Sequence, residues 1–553
     1  MLRKAGPPLA LRHLILGCLA FPLLAQVVPE GSPLPRYATR AEQQLMPIRV
    51  SLEKLFRAPP TGAIHTPAEY DPMDGILMAY EGSTSWKSIL DELAANITTI
   101  GDADVYVMAD DSSEASTIMT RMGTAGADLN RVHTLIVTTD SIWMRDYGPR
   151  YVYEGGVRVI VDHTYNRPRP NDDMLPSFFA SVKNHARYEI PLVHGGGNYH
   201  LHATGIAHTT RLINNENPGL TEGEIHQLWM DYQNLDTQFY DPFPTFVDST
   251  QHIDMWMQAI GDFEIIISDW PFDVGSTQDL ICDAAATDLA MAGYTVHRTP
   301  ARSVGGTHYT YTNVVMCNDL ILLPSYTQSQ VMAHNSEALA VWQAAMPGKT
   351  IVQVNAQDIV TAAGVFHCIV MHLPVPLGGE NPTVYLKTRP NGDVFMVDES
   401  VELRWISDDN IAVTEVDLWL SLDGGTNFDT VIATGIPDNG SYLWTVPDIN
   451  TTMARLRIVA HDGDLHTGSD QTEFDFTILG TDPCPGDVFP DNGNGTYGDG
   501  FVDNDDLLTT ASHWRQGPGI FDLWPDHGDG TFGDGMVDVR DVLFILDFFG
   551  PCP

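Results

Sequence analysis

The feature that most constrains this chain is a change of hydrophobic period partway along it. Between Thr61 and Glu380, short apolar runs such as Gly75 to Tyr80, Val105 to Val107, Leu135 to Val137, Arg158 to Val161, Ile265 to Ile267 and Leu320 to Leu323 alternate with stretches of helical length and spacing. Trp86 to Ile97 and Thr277 to Ala292 are two of those stretches. Strands and helices in alternation predict an α/β domain over 61–380. From Pro382 to Leu479 the period falls to two, as in Val401 to Trp405, Val416 to Leu420 and Ala454 to Val459, and Asp423-Gly424-Gly425 and Asp438-Asn439-Gly440 supply turns. That pattern predicts an all-β sandwich over 382–479.

The remaining segment, 481–553, repeats itself at an offset of 35 residues. Asp491, Asn494, Asp499, Asp503 and Asp506 correspond to Asp526, Asp529, Asp534, Asp538 and Asp541. Carboxylates at near-alternating spacing around a glycine turn suit a hard cation that takes six to eight oxygen ligands. Calcium is therefore expected there, with Asp491, Asp499, Asp503, Asp506, Asp526, Asp534, Asp538 and Asp541 as its candidate ligands. A solvated acidic tail is the competing reading.

The first 25 residues have the form of a secretory signal peptide: Arg3, Lys4 and Arg12, an apolar run from Leu14 to Leu24, then Ala25. A lipoprotein signal ending at Cys18 fits less well, because Arg12 and His13 shorten its apolar stretch. No other stretch reaches the ~18 apolar residues of a membrane span. A secreted or cell-surface protein is expected, with 26–60 as a Pro-rich leader or linker. The formal net charge of −43 excludes a phosphate-binding basic face and hence a nucleic-acid partner. Six cysteines are too few for a disulfide scaffold at this length. Cys484 and Cys552 bracket the terminal repeat and could clasp it, whereas the pairing of Cys282 and Cys317 stays open.

Four segments of the α/β region set polar groups in apolar surroundings. Trp143-Met144-Arg145-Asp146-Tyr147-Gly148-Pro149 places an Arg-Asp pair before a turn, which is equally the mark of a structural ion pair. Gln251-His252-Ile253-Asp254-Met255-Trp256 places His252 and Asp254 on one face if the segment is extended. Tyr311-Thr312-Asn313 precedes an apolar run, and Phe366-His367-Cys368-Ile369-Val370 holds a cysteine that alone would read as a small buried hydrophobe. His194, His200, His202 and His208 also cluster. No cysteine or conspicuous carboxylate completes a zinc set with them, so they read as ordinary structural histidines.

Taken together, Asp146, Gly195-Gly196-Gly197-Asn198, His252-x-Asp254, Asn313 and Cys368 resemble, in order and spacing, the agmatine deiminase and bacterial peptidylarginine deiminase group of the guanidine-modifying superfamily. The resemblance implies the pentein fold, a five-bladed β/α propeller with the site on its axis. It also implies catalysis without a cofactor. Asp146 and Asp254 would clamp a planar guanidinium, Cys368 would attack its central carbon, His252 would protonate departing ammonia and then activate water, and Asn313 would orient the groups around the sulfur. Trp143 belongs to the same substrate-binding set. The 382–479 segment resembles immunoglobulin- or fibronectin-like modules, and the terminal repeat resembles a dockerin-type module, for which a surface or cohesin-like partner is expected.

Export and the following sandwich favour an arginine-containing peptide or protein as substrate. Arg167 and Arg169, in Tyr165-Asn166-Arg167-Pro168-Arg169-Pro170, match positions at which the exported group binds the α-carboxylate of a C-terminal arginine. Ser249 stands where that group has an aromatic residue. Agmatine or another free guanidine is the alternative substrate, and a non-catalytic, calcium-dependent surface-binding protein the alternative of another class.

Overall fold

The computed structural model describes residues 32–51, 57–480, 488, 501–517, 519, 521–523, 533–547 and 550–551. The expected signal segment, Asp491, Asp499, Asp526, Cys484 and Cys552 lie outside these residues.

Five sheets of related construction, together with a two-stranded ribbon of Arg302–Val304 and Thr307–Tyr309, make up the α/β region. In four of the five, two consecutive strands pair antiparallel and a helical crossover returns the chain to a third strand parallel to the second. The strands are Arg150–Glu154, Val157–Tyr165 and Arg187–His194; His200–Leu201, Ile206–Thr210 and Asp236–Tyr240; Met257–Gly261, Glu264–Asp269 and Thr295–Pro300; and Val315–Cys317, Leu320–Ser325 and Thr350–Asn355. The fifth sheet pairs Met371–Pro374 antiparallel with Met73–Ala79, which continues through Asp104–Ala109 to Val132–Ile136. The end of the region is thereby tied to its beginning.

Local chemistry accounts for the crossovers. Ser83 caps Thr84–Thr99 by accepting from the Trp86 amide, and the helix buries Ile89, Leu90, Leu93, Ala94 and Ile97 at three- and four-residue spacing. Ser276 does the same for Thr277–Met291 through the Asp279 amide. On the strands, Ile76, Leu77, Val105 and Val107 are fully buried, as expected where both sheet faces are covered.

Residues 383–479 form two sheets around a separate core that includes Leu386, Leu403, Trp405, Leu418, Trp444, Leu456, Ile458 and Phe476. Arg158 joins this unit to the α/β region. Its Nε donates to Asp408 Oδ2 (2.6 Å), its Nη2 to Asp408 Oδ1 (3.0 Å) and its Nη1 to Asp74 (3.1 Å). His185 Nε2 also meets Asp408 Oδ1 at 2.9 Å.

The terminal repeat is visible in three dimensions. Asp506 accepts from the amides of Val488 (2.6 Å) and Asp503 (2.8 Å), and Asp541, 35 positions on, accepts from Leu523 (2.5 Å) and Asp538 (2.6 Å). Each carboxylate sits in the first turn of a helix, Asn504–Ser512 or Val539–Asp547. Arg540 lies against Asp534 and Asp538.

Around Pro33 and Pro35 the leader is extended, and its Leu34, Pro35 and Arg36 carbonyls accept from side chains of the α/β domain. A turn at Glu42–Leu45 holds it, with the Thr39 amide donating to Glu42 (2.7 Å) and the Glu42 amide to the Thr39 hydroxyl (3.3 Å).

Candidate active site

The sequence-predicted residues lie in the short turns that lead into the first strand of each sheet. Asp146 is in Met144–Tyr147, Gly197 in Gly196–Asn198, Asp254 in Ile253–Met255, Asn313 just before Val315–Cys317, and Cys368 in His367–Ile369. Five equivalent turns thus deliver one group each to a common centre. The His252-x-Asp254 segment is a 3-10 turn rather than a strand, so its two side chains take different partners instead of sharing a face. Gln251, immediately before it, has φ 62°, a left-handed conformation that redirects the backbone into the site.

The guanidinium of Arg36, from the leader, fills that centre. Its Nε and Nη2 donate to Asp146 Oδ2 and Oδ1, both at 2.8 Å, while Nη2 and Nη1 donate to Asp254 Oδ2 (2.8 Å) and Oδ1 (3.0 Å). Nη1 also stands 2.6 Å from Cys368 Sγ. Every guanidinium nitrogen is engaged by charge-assisted bonds in the forked geometry that suits carboxylates. Gly197 makes this approach possible: a Cβ there would overlap Arg36 Nη2 and stand 2.6 Å from Asp254 Oδ2. Its amide donates to Asp146 Oδ1 at 3.1 Å.

Burial alone would raise both aspartates. The Arg36 charge, with His252 for Asp146 and His367 for Asp254, overcomes it and holds both well below the usual carboxylate range. Cys368 goes the other way. Burial raises its thiol well above the ordinary value; Arg36 opposes the rise, and the two aspartates reinforce it. The guanidinium is thus the group that favours thiolate here. Asn313 Oδ1 accepts from Sγ at 3.3 Å while its Nδ2 donates to the Asp254 carbonyl at 3.2 Å, fixing the amide between Cys368 and Asp254.

Two histidines flank the site in different states. His367 is fully engaged, with Nδ1 2.9 Å from Asp254 Oδ2 and Nε2 2.9 Å from Glu69 Oε1. His252 is buried and pairs with Asp146 through Nδ1 (3.4 Å to Oδ1), while its Nε2 has no hydrogen-bond partner among the described residues. His367 is suited to hold Asp254 in place, and His252 to move a proton.

Glu69, Arg145 and His367 are site residues that the sequence reading passes over. Arg145 does not pair with Asp146. It turns away to Glu69 (2.7 Å) and to His372 Nδ1 (2.7 Å), supporting the Asp254–His367–Glu69 chain from behind. His202 and His208 face each other at 3.1 Å and His194 stacks on His163, so the four clustered histidines do not share one centre. Glu69, His200 and His367 do bring one ligand atom each to within 4.8 Å of one another.

Trp143, Arg167 and Arg169 all reach the leader's backbone. Trp143 Nε1 donates to the Leu34 carbonyl (2.8 Å), Arg169 Nη2 to that of Pro35 (2.8 Å) and Arg167 Nε to that of Arg36 (3.2 Å). The Arg36 amide donates to the Ala362 carbonyl (3.0 Å). Arg169 also holds Glu42 at 2.7 Å. The two arginines expected to grip a terminal carboxylate therefore grip peptide carbonyls and a side-chain carboxylate. Beside them opens a cavity of about 810 Å³ whose wall includes Tyr37, Asn166, Arg167, Glu216, Ser249 and Gln251.

An α/β domain whose turns set paired aspartates, a histidine and a cysteine around a guanidinium fits a hydrolase of the guanidine-modifying deiminase class. Residues 65–374 match the Porphyromonas-type peptidyl-arginine deiminase family, and the chain belongs to it. The agmatine deiminase of Ectopseudomonas mendocina (strain ymp) is 25% identical over 373 residues, covering 59% of this chain and 99% of that protein. The agmatine deiminase of Pseudomonas aeruginosa (strain LESB58) is 25% identical over 301 residues, covering 46% of this chain and 79% of that protein. The substrate-bound structure of C. jejuni agmatine deiminase is similar in fold, with a TM-score of 0.50 at 18% identity, covering 57% of this chain and 97% of that chain. The N-terminal part of the chain thus has a fold related to the pentein deiminases, and family and site together support guanidino-group hydrolysis.

Proposed function

We propose that this protein hydrolyses the guanidino group of peptide-borne arginine, giving citrulline and ammonium through a Cys368 thiouronium. The observation that carries this reading is the seating of Arg36: the side chain meets the clamp while Trp143, Arg167, Arg169 and the Ala362 carbonyl bind the peptide groups around it. Those contacts suit an arginine within a chain, which has a carbonyl on each side, and agmatine has none. Cys368 Sγ attacks the guanidinium carbon of a substrate held as Arg36 is. His252 gives a proton to the departing ammonia, leaving the thiouronium. Water, deprotonated by the same imidazole, displaces the sulfur. The carboxylates hold the cation planar and oriented throughout, and its charge favours the thiolate.

Agmatine is the second reading, favoured by the names of the curated relatives above. The two separate on kcat/KM for agmatine, free arginine, and peptides with internal or C-terminal arginine, with Cys368→Ala as control. Peptide turnover at least tenfold above agmatine, lost in the variant, is the expected result. A tenfold preference for agmatine assigns the second reading. Turnover of no guanidine would leave the non-catalytic alternative.

The wider organisation belongs to the same proposal. The five sheets are read as blades of a closed propeller, 383–479 as an immunoglobulin- or fibronectin-like module, and the terminal repeat as a calcium-binding, dockerin-like unit of an exported enzyme. The paired Asp506 and Asp541 geometry supports the repeat itself, and the calcium reading rests on the spacing of its carboxylates.

A further inference from the structure

The leader is more than a stand-in for substrate, because it is covalently part of the enzyme it occupies. Arg36 is wholly buried, its side chain makes four bonds to the clamp, and its backbone and those of its neighbours are held by Trp143, Arg167, Arg169 and Ala362. Glu42 adds an anchor six residues downstream: burial would raise its carboxyl, but the hydrogen bond and charge of Arg169 hold it below the ordinary value. Arg36 is held by the same groups that the proposed reaction uses. Cys368 Sγ accepts from its Nη1, both carboxylates orient it, and His252 pairs with Asp146 alongside. A pure inhibitor would be expected to withhold one of these, by a lysine in place of arginine or a displaced sulfur.

We infer that the leader is a tethered first substrate: the chain deiminates its own Arg36 once, and that turnover clears the site for guanidines from outside. The inference rests on the deiminase reading above. In the step, a Cys368 Sγ–Cζ bond forms and a Cζ–Nη bond breaks. Ammonia leaves with a proton from His252. Water oxygen then replaces sulfur on Cζ, and the thiolate is restored. The sum is guanidinium plus water to ureido group plus ammonium, with no change of oxidation state.

Release follows from charge. Citrulline is neutral, so the two buried carboxylates lose their cation, and the charge-assisted bonds that fixed the side chain become ordinary ones. The remaining backbone contacts are individually modest and compete with water. The leader then leaves the cleft, and the peptide-carbonyl donors Trp143, Arg167 and Arg169 become available to other chains.

The test uses the full-length chain and its Cys368→Ala variant, mapped by mass spectrometry over the segment that contains position 36. Conversion adds about 1 Da, as NH is exchanged for O. Citrulline at 36 in the active chain and arginine in the variant is the expected result. An isotope-labelled Cys368→Ala chain mixed with active chain is expected to keep Arg36, because the reaction occurs within one molecule; citrulline on the labelled chain would overturn the tethered step. Two further variants read the plug. Arg36→Gln resembles the neutral product and should turn over external substrate without a lag, whereas Arg36→Lys keeps a cation that cannot be deiminated and should be at least tenfold slower. Equal rates for the two would overturn release by charge loss. Intact Arg36 in a chain that converts external arginine or agmatine would overturn this inference alone. No conversion of Arg36 or any external guanidine would sink the deiminase reading and the inference with it.

Discussion

Arg36 and Arg158 invite comparison, because each is buried and forked across carboxylates supplied by a distant part of the chain. Arg158 has 1% of its surface exposed and meets Asp408, Asp74 and the Pro374 carbonyl, with His185 closing the far side of Asp408. Its hydrogen-bonding capacity is spent on structural groups. Arg36, at 0%, is as tightly held, but it lies against a cysteine sulfur and beside an imidazole whose Nε2 has no hydrogen-bond partner among the described residues. Burying a guanidinium carries a similar desolvation cost in either place. What makes one cluster chemical is the incomplete satisfaction around it, and that difference can be broken from either side.

The largest effect is expected at the clamp. Asp254→Asn removes the charge shared by Arg36 and His367 and leaves the guanidinium held on one side. Turnover of the preferred substrate should fall by about 10³-fold, which corresponds to ~4 kcal/mol of transition-state stabilisation. Circular dichroism should still show a folded chain. A fall below tenfold would place Asp254 in binding alone.

At the other arginine the expected loss is stability rather than rate. Asp408→Ala leaves buried Arg158 with only Asp74 and backbone carbonyls and should cost about 3 kcal/mol, read by urea unfolding, with kcat unchanged below the transition. Arg158→Met combined with Asp408→Leu removes both charges and should recover most of that loss. If the double variant is as unstable as the single one, packing rather than the stranded charge is responsible.

Acid sharpens the same contrast. Burial would raise Asp408, but its bonds to His185 and Arg158 hold it down to about 2. The folded value therefore lies below the unfolded one, near 3.9, so its contribution is complete above about pH 5 and is lost as pH falls through 4 toward 2. That contribution is on the order of 2 kcal/mol. The double variant should show a correspondingly shallower loss of stability between pH 5 and pH 2, and an unchanged slope would remove Asp408 from the acid response.

How far these features are legible in sequence follows from the range of the contacts. Asp146, Asp254, Asn313 and Cys368 stand out because each interrupts an apolar stretch just before a strand, and a repeated sheet construction puts such turns at one centre. Helices and strands are legible for the same local reason. Arg36 is not, since it lies 110 residues from Asp146 and 332 from Cys368 and its Pro-rich surroundings read as linker. Those prolines are the available signal: they leave carbonyls unpaired along an extended segment ending in arginine. Glu69 and His367 are hidden similarly, by a contact spanning 298 residues. Arg145 misleads through adjacency, because a helical turn sends neighbouring side chains in different directions, so proximity to Asp146 in sequence does not make a pair.

The smallest effect is expected farthest from either arginine. Asp506 and Asp541 accept amides from their own repeat, and Val502, Phe544 and Ile545 belong to a small core separate from that of the α/β region. A unit with its own caps and core can be removed without opening another core. Deleting 481–553 should therefore change kcat/KM for a soluble peptide by less than about twofold, within the ~0.5 kcal/mol typical of remote surface changes. Calcium added to the truncated chain should not alter turnover, whereas in the full chain it should protect the terminal repeat from proteolysis. A large fall in kcat from a truncated chain that keeps its melting transition would show that the repeat reaches the α/β site.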